Sequence, residues 1–430
     1  MMKKELIVKR INKLPHRLKN IIFICRDLAE KECLDVYLVG GFVRDLLLGG
    51  ENFDFDIVVE RNGIDFAYKL SQILDAHLIK HKAFGTATLT LKDGLKIDIA
   101  TSRREYYPKP AALPVVSKGD IEDDLLRRDF TINAIACHID CDKFGQIVDV
   151  CGGLSDLKLK KIRFLHSNSF IDDPTRIIRA VRFEQRFGFQ IEKNTLAFIK
   201  QAEKLKMLEK VQKHRIRDEI ILIFKEDSAY KILSRLKKIY NLRFIHSDLS
   251  IDKKLDRALC DIDKACLWFE DAFPNRRRLD IWLMYLIIFL YRLDLKVLRT
   301  FLGKYAFHRG DAKRIISFKT DFAKIDRSLS AKNLSTTKLS DMLSPLSYEV
   351  IMLILALSKN KLTKQGIKVF FIKHHHKKIN ITGEDLLALG VKPGPEFKKI
   401  FRKVFLARIN GEVCGRQEEL DFARKIIKHR

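Results

Sequence analysis

The sequence predicts an α+β protein, in which a head with a mixed β-sheet precedes an all-α remainder. Residues 36–165 alternate short β-like runs with turns, and residues 92–94 separate two runs as in a hairpin. Beyond them, residues 189–302 contain no glycine and have Pro274 as their single proline. Apolar residues in that span recur at three- and four-residue spacing, which is typical of amphipathic helices.

The charge of the chain is distributed unevenly along its 430 residues. Lys and Arg number 82 against 55 Asp and Glu, which gives a net charge of +27. Residues 1–160 carry a net charge of only +1, so nearly all of the excess follows position 160. This distribution favours chemistry in the first part and polyanion binding in the remainder, with a general lysine enrichment as the alternative.

Several classes of protein are excluded by the composition. No stretch reaches the roughly 20 apolar residues of a membrane helix, and the apolar run at 281–291 predicts a buried core helix. The N-terminus has no apolar signal core. Eight cysteines are too few for a disulfide scaffold of this length. We therefore expect a cytoplasmic protein that has no membrane partner.

A pair of glycines marks the first candidate site. Gly40 and Gly41 follow a short strand-like run and open an apolar-periodic helix. Glycines allow a ligand to approach the backbone, and free N–H groups at a helix start favour a phosphate. Arg44, one turn into the helix, could clamp a triphosphate. A plain strand-to-helix connection is the alternative.

Two carboxylates open the next strand-like run. Asp54 and Asp56 are two residues apart, so both point to one face of a strand and repel each other unless a cation lies between them. Hard divalent cations such as Mg²⁺ prefer such oxygen ligands, and a pair of this kind suits the metal site of nucleotidyl transfer. Asp98, on a later strand, is the candidate third carboxylate that deprotonates the attacking hydroxyl. The alternative is a solvated turn.

Two arginine-rich segments could bind the nucleotide itself. In the first, the two adjacent arginines Arg127 and Arg128 suit phosphates. Asp129 and Asn133, four residues apart, are expected on one helical face where they could hold a ribose hydroxyl. The alternative for this segment is a helix with Asp129 as its N-cap.

The second segment begins with Asp173, followed by Pro174 at the expected start of a helix. Asp173 and Arg176 share a face and offer an acceptor beside a fork of donors. Cytosine and adenine present the complementary pattern of an amino donor beside a ring-nitrogen acceptor, whereas guanine and uracil do not. Arg179 and Arg182 continue a basic stripe from Arg176, since the three arginines are spaced by three residues. An ordinary amphipathic basic helix is the alternative.

The order of these motifs resembles that of the class II tRNA nucleotidyltransferases, which are the CCA-adding enzymes and their bacterial poly(A) polymerase relatives. The segments GGFVRD, DFD, RRDFTINA and DPTRIIRAVRF carry the resemblance, which spans residues 36–220. Residues 214–219 resemble the last motif of the family, with His214 in place of the usual acid.

The resemblance implies a polymerase β-type nucleotidyltransferase head at 1–150, a neck that recognises the base at 151–225, a helical body at 226–360 and a tRNA-binding tail at 361–430. It implies that Asp54 and Asp56 bind Mg²⁺ and that Asp173 and Arg176 are the protein's template for the base. Gly41, Arg44 and Arg128 would contact the incoming CTP or ATP. Arg179 and Arg182 would support the triphosphate or the template. The tail resembles that of bacterial members, and its basic residues would grip the acceptor end of tRNA: Lys392, Lys398, Lys399, Arg402 and Lys403.

We therefore expect template-independent addition of CCA, or of its terminal A, to the 3′ end of tRNA. A specialist that adds only A or only CC remains open, because residues 103–114, which lie where the family has its flexible loop, have a proline-rich sequence that departs from the commonest CCA-adding form. A poly(A) polymerase is a second alternative, and a non-catalytic RNA-binding protein is a third. The sequence does not indicate the oligomeric state.

Overall fold

The chain forms two compact units. The computed structural model describes residues 2–50, 54–332, 334–374 and 378–428. The first unit spans Met1–Ser247 and the second Asp248–Arg430. The finer division into head, neck, body and tail stays a prediction.

A seven-stranded mixed sheet forms the centre of the first unit. Its order is β3-β4-β5-β2-β1-β8-β9, and the β2–β5 pair is parallel while the other pairs are antiparallel. The strands of the unit are β1 (Val36–Val39), β2 (Phe55–Val59), β3 (His77–His81), β4 (Thr86–Thr90), β5 (Lys96–Thr101), β6 (Arg103–Tyr106), β7 (Val115–Lys118), β8 (Ala136–His138), β9 (Ile147–Val148), β10 (Lys161–Ile162) and β11 (Gln190–Ile191).

Two small sheets accompany the large one. Strands β6 and β7 form an antiparallel hairpin, and β10 and β11 form a parallel pair of two residues each. The β10–β11 pair lies within the residues predicted to form the neck, and it joins a segment that precedes α8 (Thr175–Phe187) to one that follows it.

Helices surround the sheet and complete the first unit. They pack apolar faces against it, as where Ile121 and Leu125 join Tyr37, Val39 and Val58 in one buried cluster. These helices are α1 (Met2–Asn12), α2 (His16–Lys31), α3 (Gly41–Leu48), α4 (Gly63–Ile73), α5 (Ile121–Leu126), α6 (Gly153–Lys158), α7 (Ser169–Asp172), α8 as above, α9 (Lys193–Lys204), α10 (Met207–Lys210), α11 (Lys213–Phe224) and α12 (Ala229–Ile239), with 3₁₀ turns at Lys82–Phe84 and Thr131–Asn133.

The second unit contains only helices among its described residues. The predicted core helix is α14, and seven of its ten residues are buried. The helices are α13 (Lys253–Ala272), α14 (Ile281–Leu290), α15 (Leu295–Lys304), α16 (Arg309–Leu329), α17 (Thr336–Leu343), α18 (Tyr348–Leu357), α19 (Lys361–His374), α20 (Gly383–Ala388), α21 (Pro395–Asn410) and α22 (Arg416–Lys428). Together, the mixed sheet and the helical remainder confirm the predicted α+β class.

Among the described residues no single helix is both long and apolar enough to cross a bilayer. The pair α17 and α18 passes on length and composition only when the two are joined, and they are bent by 112°.

Candidate active site

A cavity of about 490 Å³ in the first unit brings together most of the predicted site residues. We call it the central pocket. Residues from distant parts of the sequence line it, because α3, β2, α5 and α8 all end or begin there. The predicted residues in its wall are Gly41, Arg44, Asp54, Asp56, Arg128, Asp129, Asn133, Asp173, Arg176, Arg179 and Arg182.

The three predicted carboxylates lie on neighbouring strands. Asp54 immediately precedes β2, Asp56 is its second residue, and Asp98 on β5 is the direct cross-strand partner of Asp56. The hydroxyl of Thr88 donates a hydrogen bond of 2.6 Å to Asp98 Oδ1, which orients that carboxylate. Asp98 itself is exposed and does not line the central pocket.

The ionisation of Asp56 reflects this crowding. Burial, together with the charges of Asp98 and Asp54, raises the pKa of Asp56 to about 6, although Arg128 and Arg44 oppose the rise. A partly buried carboxylate beside two others is the donor set that a hard divalent cation neutralises. The residues present therefore fit the Mg²⁺ expected at Asp54 and Asp56.

Gly40 lies next to Arg128 and is not part of the pocket wall. Its φ of +61° is in the left-handed region, and a Cβ at this position would collide with Nη1 of the Arg128 side chain. The Gly40 N–H donates to Ile135 O at 3.1 Å, so the turn is tied to the strand beside it. Gly40 thus makes room for Arg128, whereas Gly41 lies in the pocket wall itself.

Arg44 is held by other protein groups rather than pointing freely into the pocket. Its guanidinium donates to both oxygens of Asp45 at 2.8 and 2.9 Å and to Asn133 Oδ1 at 2.5 Å. It also lies over the ring of Phe187, 4.6 Å from the centroid. Because only part of its donor set is used, Arg44 can still contact a ligand in the pocket that it lines.

Asp129 and Asn133 meet through a short turn. The predicted α-helix here is wrong, because Thr131–Asn133 forms one 3₁₀ turn before β8. Asp129 Oδ1 accepts from Asn133 Nδ2 at 2.9 Å, and Asp129 Oδ2 lies 2.7 Å from Arg179 Nη2. Burial opposes ionisation of Asp129, but Arg179 and the Asn133 hydrogen bond outweigh it and lower its pKa.

The predicted base-reading pair lies at the start of α8. The helix begins at Thr175, one residue later than predicted, and Pro174 is its N-cap. Arg176 is buried, and its two terminal nitrogens donate to Ser169 Oγ at 2.7 Å and to the backbone oxygen of Arg127 at 2.8 Å. Asp173 Oδ1 accepts from Arg215 Nη2 at 2.7 Å. Both side chains are thus fixed in orientation where they line the pocket.

Arg182, the last arginine of the basic stripe, contacts two acids, one on α11 and one just after it. Arg182 Nη1 donates to Glu226 Oε1 at 3.1 Å, and its other terminal nitrogen lies 3.9 Å from Glu219. Burial raises the pKa of Glu219, although Arg179 and Arg182 oppose that rise. Glu219 is the last acid of the motif at 214–219, so this motif supports α8 even though His214 replaces the usual acid.

The structure also shows a functional residue that the sequence analysis missed. Asp124 on α5 is fully buried and accepts from Arg127 at 2.9 and 2.5 Å and from Arg128 at 3.3 and 2.9 Å. The signal was available, because an acid three and four residues before two arginines lies on their helical face. Glu105 of β6 assists by accepting from Arg127 at 3.0 Å.

Replacing Asp124 with alanine should destabilise the protein by about 3 kcal/mol, because two largely buried arginines lose their shared carboxylate. Affinity for a nucleoside triphosphate should fall as well, since Arg128 is no longer aimed into the pocket. Urea unfolding and equilibrium binding measure the two effects. Glu122→Gln, on the exposed face of the same helix, is the matched control and should change stability by less than about 0.5 kcal/mol. Unchanged stability and affinity in Asp124→Ala would contradict this role.

The predicted RNA-binding residues lie in the second unit. Lys398, Lys399 and Lys403 are exposed on α21, and Lys392 is exposed before it. Arg402 is also exposed but pairs with Asp341. Their role in RNA binding stays a prediction.

A separate group of potential metal ligands lies in the first unit. One ligand atom from each of Asp35, His138 and Asp140 falls within 4.8 Å of the others, so the group could hold a metal ion. Lys143 already lies 3.1 Å from Asp35, which supplies a positive charge there. The sequence analysis did not identify this group, because its members are brought together only by the pairing of β1 with β8.

Comparison with known proteins identifies the family. Residues 36–163 match the poly A polymerase head domain, and residues 188–250 match a probable RNA- and SrmB-binding site of polymerase A. The chain is 35% identical to the A-adding tRNA nucleotidyltransferase of Geobacter sulfurreducens over 91% of its own length, but it spans only 45% of that protein. It is 31% identical to the A-adding tRNA nucleotidyltransferase of Halalkalibacterium halodurans, covering 94% of this chain and 91% of that one.

A solved structure shares the whole architecture. The CCA-adding enzyme of Thermotoga maritima, complexed with tRNA, superposes with a TM-score of 0.63 at 31% identity, covering 99% of this chain and 98% of that one. Sequence and structure agree over almost the full length with proteins of one kind. The chain therefore belongs to the family of class II tRNA nucleotidyltransferases and their poly(A) polymerase relatives.

Proposed function

We propose that this protein adds nucleotides to the 3′ end of tRNA, using ATP and CTP, without a nucleic-acid template. The observation that carries the proposal is the central pocket, in which Asp54 and Asp56 lie in one cavity with the stripe from Arg176 to Arg182. The carboxylates suit a metal ion beside the reacting phosphate, while the arginines suit the negative charge of a triphosphate. A non-catalytic RNA-binding protein would have no use for this combination.

The reaction forms one bond and breaks another. The 3′ oxygen of the RNA bonds to the α-phosphorus, the bond from that phosphorus to the bridging oxygen breaks, and pyrophosphate leaves. Asp98 would take the proton of the attacking hydroxyl. Arg128, aimed by Asp124, would neutralise charge on the triphosphate and on the pyrophosphate that leaves.

Asp54 and Asp56 would hold Mg²⁺ at this site. When bound, the ion stabilises negative charge on the attacking and leaving oxygens. Burial and the neighbouring carboxylates raise the pKa of Asp56. This supports the assignment, because a cation relieves the repulsion among Asp54, Asp56 and Asp98.

Asp173 and Arg176 would choose the base. Their orientation is fixed by Arg215 on one side and by Ser169 and the backbone of Arg127 on the other. A fixed acceptor beside a fixed donor pairs with cytosine or adenine and leaves polar groups unpaired against guanine or uracil. Base selection by protein alone explains how the enzyme would work without a template.

Addition of the terminal A is the activity that the relatives favour. The proteins of Geobacter and Halalkalibacterium are A-adding, whereas the Thermotoga relative is CCA-adding. Addition of the full CCA is therefore the second candidate. In either case the tRNA would contact the basic tail around Lys398 and Lys399, which belongs to the part of the sequence predicted to bind a polyanion.

Incorporation of labelled nucleotides distinguishes the candidates. Three tRNA transcripts, ending at the discriminator base, at C and at CC, are each offered CTP, ATP or both in the presence of Mg²⁺. We expect addition of one A to the CC-ended transcript. An A-adding and a CCA-adding enzyme would both add it, whereas a CC-adding specialist would not. Extension of the first transcript by CCA would establish the full activity, and its absence would establish an A-adding specialist. A long A tail, or no incorporation on any transcript, would contradict the proposal.

A further inference from the structure

A second cavity, of about 440 Å³, lies beside the central pocket in the first unit. We call it the side cavity. Glu105, Tyr107 and Arg127 line both cavities, so the two share one wall. The residues that line the side cavity alone are Arg104, Tyr106, Asp123, Leu126, His166, Asn168 and Asp172.

Uncovered apolar surface is the first notable property of the side cavity. Tyr106 is 68% exposed and Leu126 is 51% exposed, although both line a concave surface. Tyr106 is the last residue of β6, and strand alternation places it on the same face as Arg104 and opposite Glu105. An open aromatic ring inside a cavity offers a platform on which a nucleic-acid base can stack.

Polar groups that suit a base edge surround this platform. Asn168 precedes α7 but does not cap it with its side chain, so its amide can donate and accept elsewhere. The carboxylate of Asp172 lies 4.0 Å from His166 Nδ1. Burial and the nearby Arg176 lower the pKa of His166, so at neutral pH its ring is uncharged and offers one donor and one acceptor. Such groups read the edges of unpaired bases.

One cation at the edge of the cavity suits a phosphate. Arg104 is largely exposed, and its Nε lies 2.7 Å from the carboxylate of Asp123, so the pair with Asp123 is made through Nε and not through the terminal nitrogens. Arginines in such positions commonly contact the nucleic-acid backbone. A stacking ring, base-edge groups and a phosphate-binding cation together match one nucleotide, and the volume is within the range of small-ligand sites, about 300–1,000 Å³.

The two sides of the cavity are fastened together. The loop between β6 and β7 is tied to α7 by a backbone hydrogen bond of 3.0 Å from Ala111 N to Ile171 O. Ala111 is buried with a φ of +59°, a left-handed conformation that a residue other than glycine keeps only when its surroundings enforce it. The side cavity is therefore a formed feature of the fold.

We propose that the side cavity binds an unpaired nucleotide of the RNA acceptor end, with its base stacked on Tyr106. The inference rests on the proposed function. The RNA must present its 3′ hydroxyl to the triphosphate in the central pocket, so the nucleotide before the last must lie in an adjoining site. The shared wall of Glu105, Tyr107 and Arg127 makes the side cavity that adjoining site.

Fluorescence of 2-aminopurine tests the stacking directly. The probe replaces the nucleotide before the last in a CC-ended transcript, and binding is measured in EDTA without nucleoside triphosphate. We expect quenching with the wild-type protein and with Tyr106→Phe, which keeps the ring. Tyr106→Ala should lose the quenching and bind the RNA about 10-fold more weakly. Because Tyr106 is exposed, both variants should keep the wild-type melting temperature, which is the folding control.

An abasic nucleotide at the same position sharpens the test. It should weaken RNA binding about 10-fold for the wild type and cause no further loss in Tyr106→Ala. Equal quenching and affinity in Tyr106→Ala and wild type would overturn the inference. The inference would also be overturned if free ATP or CTP relieved the quenching and abasic RNA bound with unchanged affinity. The cavity would then bind free nucleotides.

The binding readout separates this inference from the proposed function. Quenching that depends on Tyr106, without extension of any transcript, would refute the enzymatic function and leave the RNA site standing. Extension of a transcript without any dependence of RNA binding on Tyr106 would refute the RNA site and leave the enzymatic function standing.

Discussion

Replacing Asp56 with asparagine should reduce nucleotide addition by about 10³-fold or more, while making the metal-free protein more stable at pH 8. The loss of activity follows because the carboxylate pair that would hold Mg²⁺ is broken. The gain in stability follows because Asp56 is buried beside Asp98 and Asp54, and folding therefore disfavours its charged form. A residue retained only for structure would not show opposite effects on activity and stability.

The sign of the pH dependence follows from the raised pKa. The pKa of Asp56 is about 6 in the folded protein against an ordinary value of 3.8, so the folded state binds more protons between these values. The stability linked to this proton is present below pH 4 and lost as the pH rises through 6. Asp56→Asn should therefore gain about 1–3 kcal/mol over wild type at pH 8 and little at pH 4.

Urea unfolding in EDTA at both pH values, with single-turnover incorporation at pH 8, measures these effects. Asp142→Asn is the matched control, because Asp142 is an exposed aspartate in the same unit, and it should change neither quantity. Retained activity in Asp56→Asn would refute the catalytic assignment. A loss of stability at pH 8 would refute the electrostatic account of the carboxylate cluster.

Replacing Asp173 with alanine should lower kcat/KM for ATP by about 10²-fold and leave the low rates with GTP and UTP unchanged or higher. The expected cause is loss of the acceptor that pairs with the amino group of adenine. Competition between ATP and GTP for a CC-ended transcript measures the selectivity.

Two variants separate base reading from general damage. Asp218→Asn, an exposed aspartate within the same motif as Arg215, is the control and should keep wild-type selectivity. Arg215→Met removes the partner of Asp173 but keeps the carboxylate, so it should reduce selectivity less than Asp173→Ala does. An equal loss of rate with all four nucleotides in Asp173→Ala would contradict a role in base selection.

Much of the central pocket was predictable because its residues lie in short motifs with clear chemistry. The strand opened by Asp54 and Asp56 and the helix that carries Arg176, Arg179 and Arg182 both follow from spacing alone. Their convergence on one cavity does not follow from spacing, because it depends on the parallel pairing of β2 with β5 and on where α8 meets the sheet. The family resemblance supplied that step.

The parts that could not be predicted are those set by tertiary contacts. The spacing of Asp124 from Arg127 and Arg128 indicated a shared helical face, but the complete burial of Asp124 is set by tertiary packing and could not be predicted. Asp129 and Asn133 meet in a 3₁₀ turn rather than on a helix. Asp129 Oδ1 accepts hydrogen bonds from the side-chain amide of Asn133 and from the N–H of Phe130, and these bonds override the local helical spacing. Arg44 is engaged by Asn133, 89 positions away in the chain.

The central claim is that one pocket both binds the nucleoside triphosphate and transfers its nucleotidyl group to RNA, with release of pyrophosphate. Single-turnover incorporation of labelled ATP into a CC-ended tRNA transcript, by the wild type with Mg²⁺ and by Asp56→Asn, tests it most directly. We predict one added A and release of pyrophosphate with the wild type, and neither with the variant although it still binds the transcript. Incorporation by Asp56→Asn at the wild-type rate, or no incorporation by the folded wild type, would contradict the account.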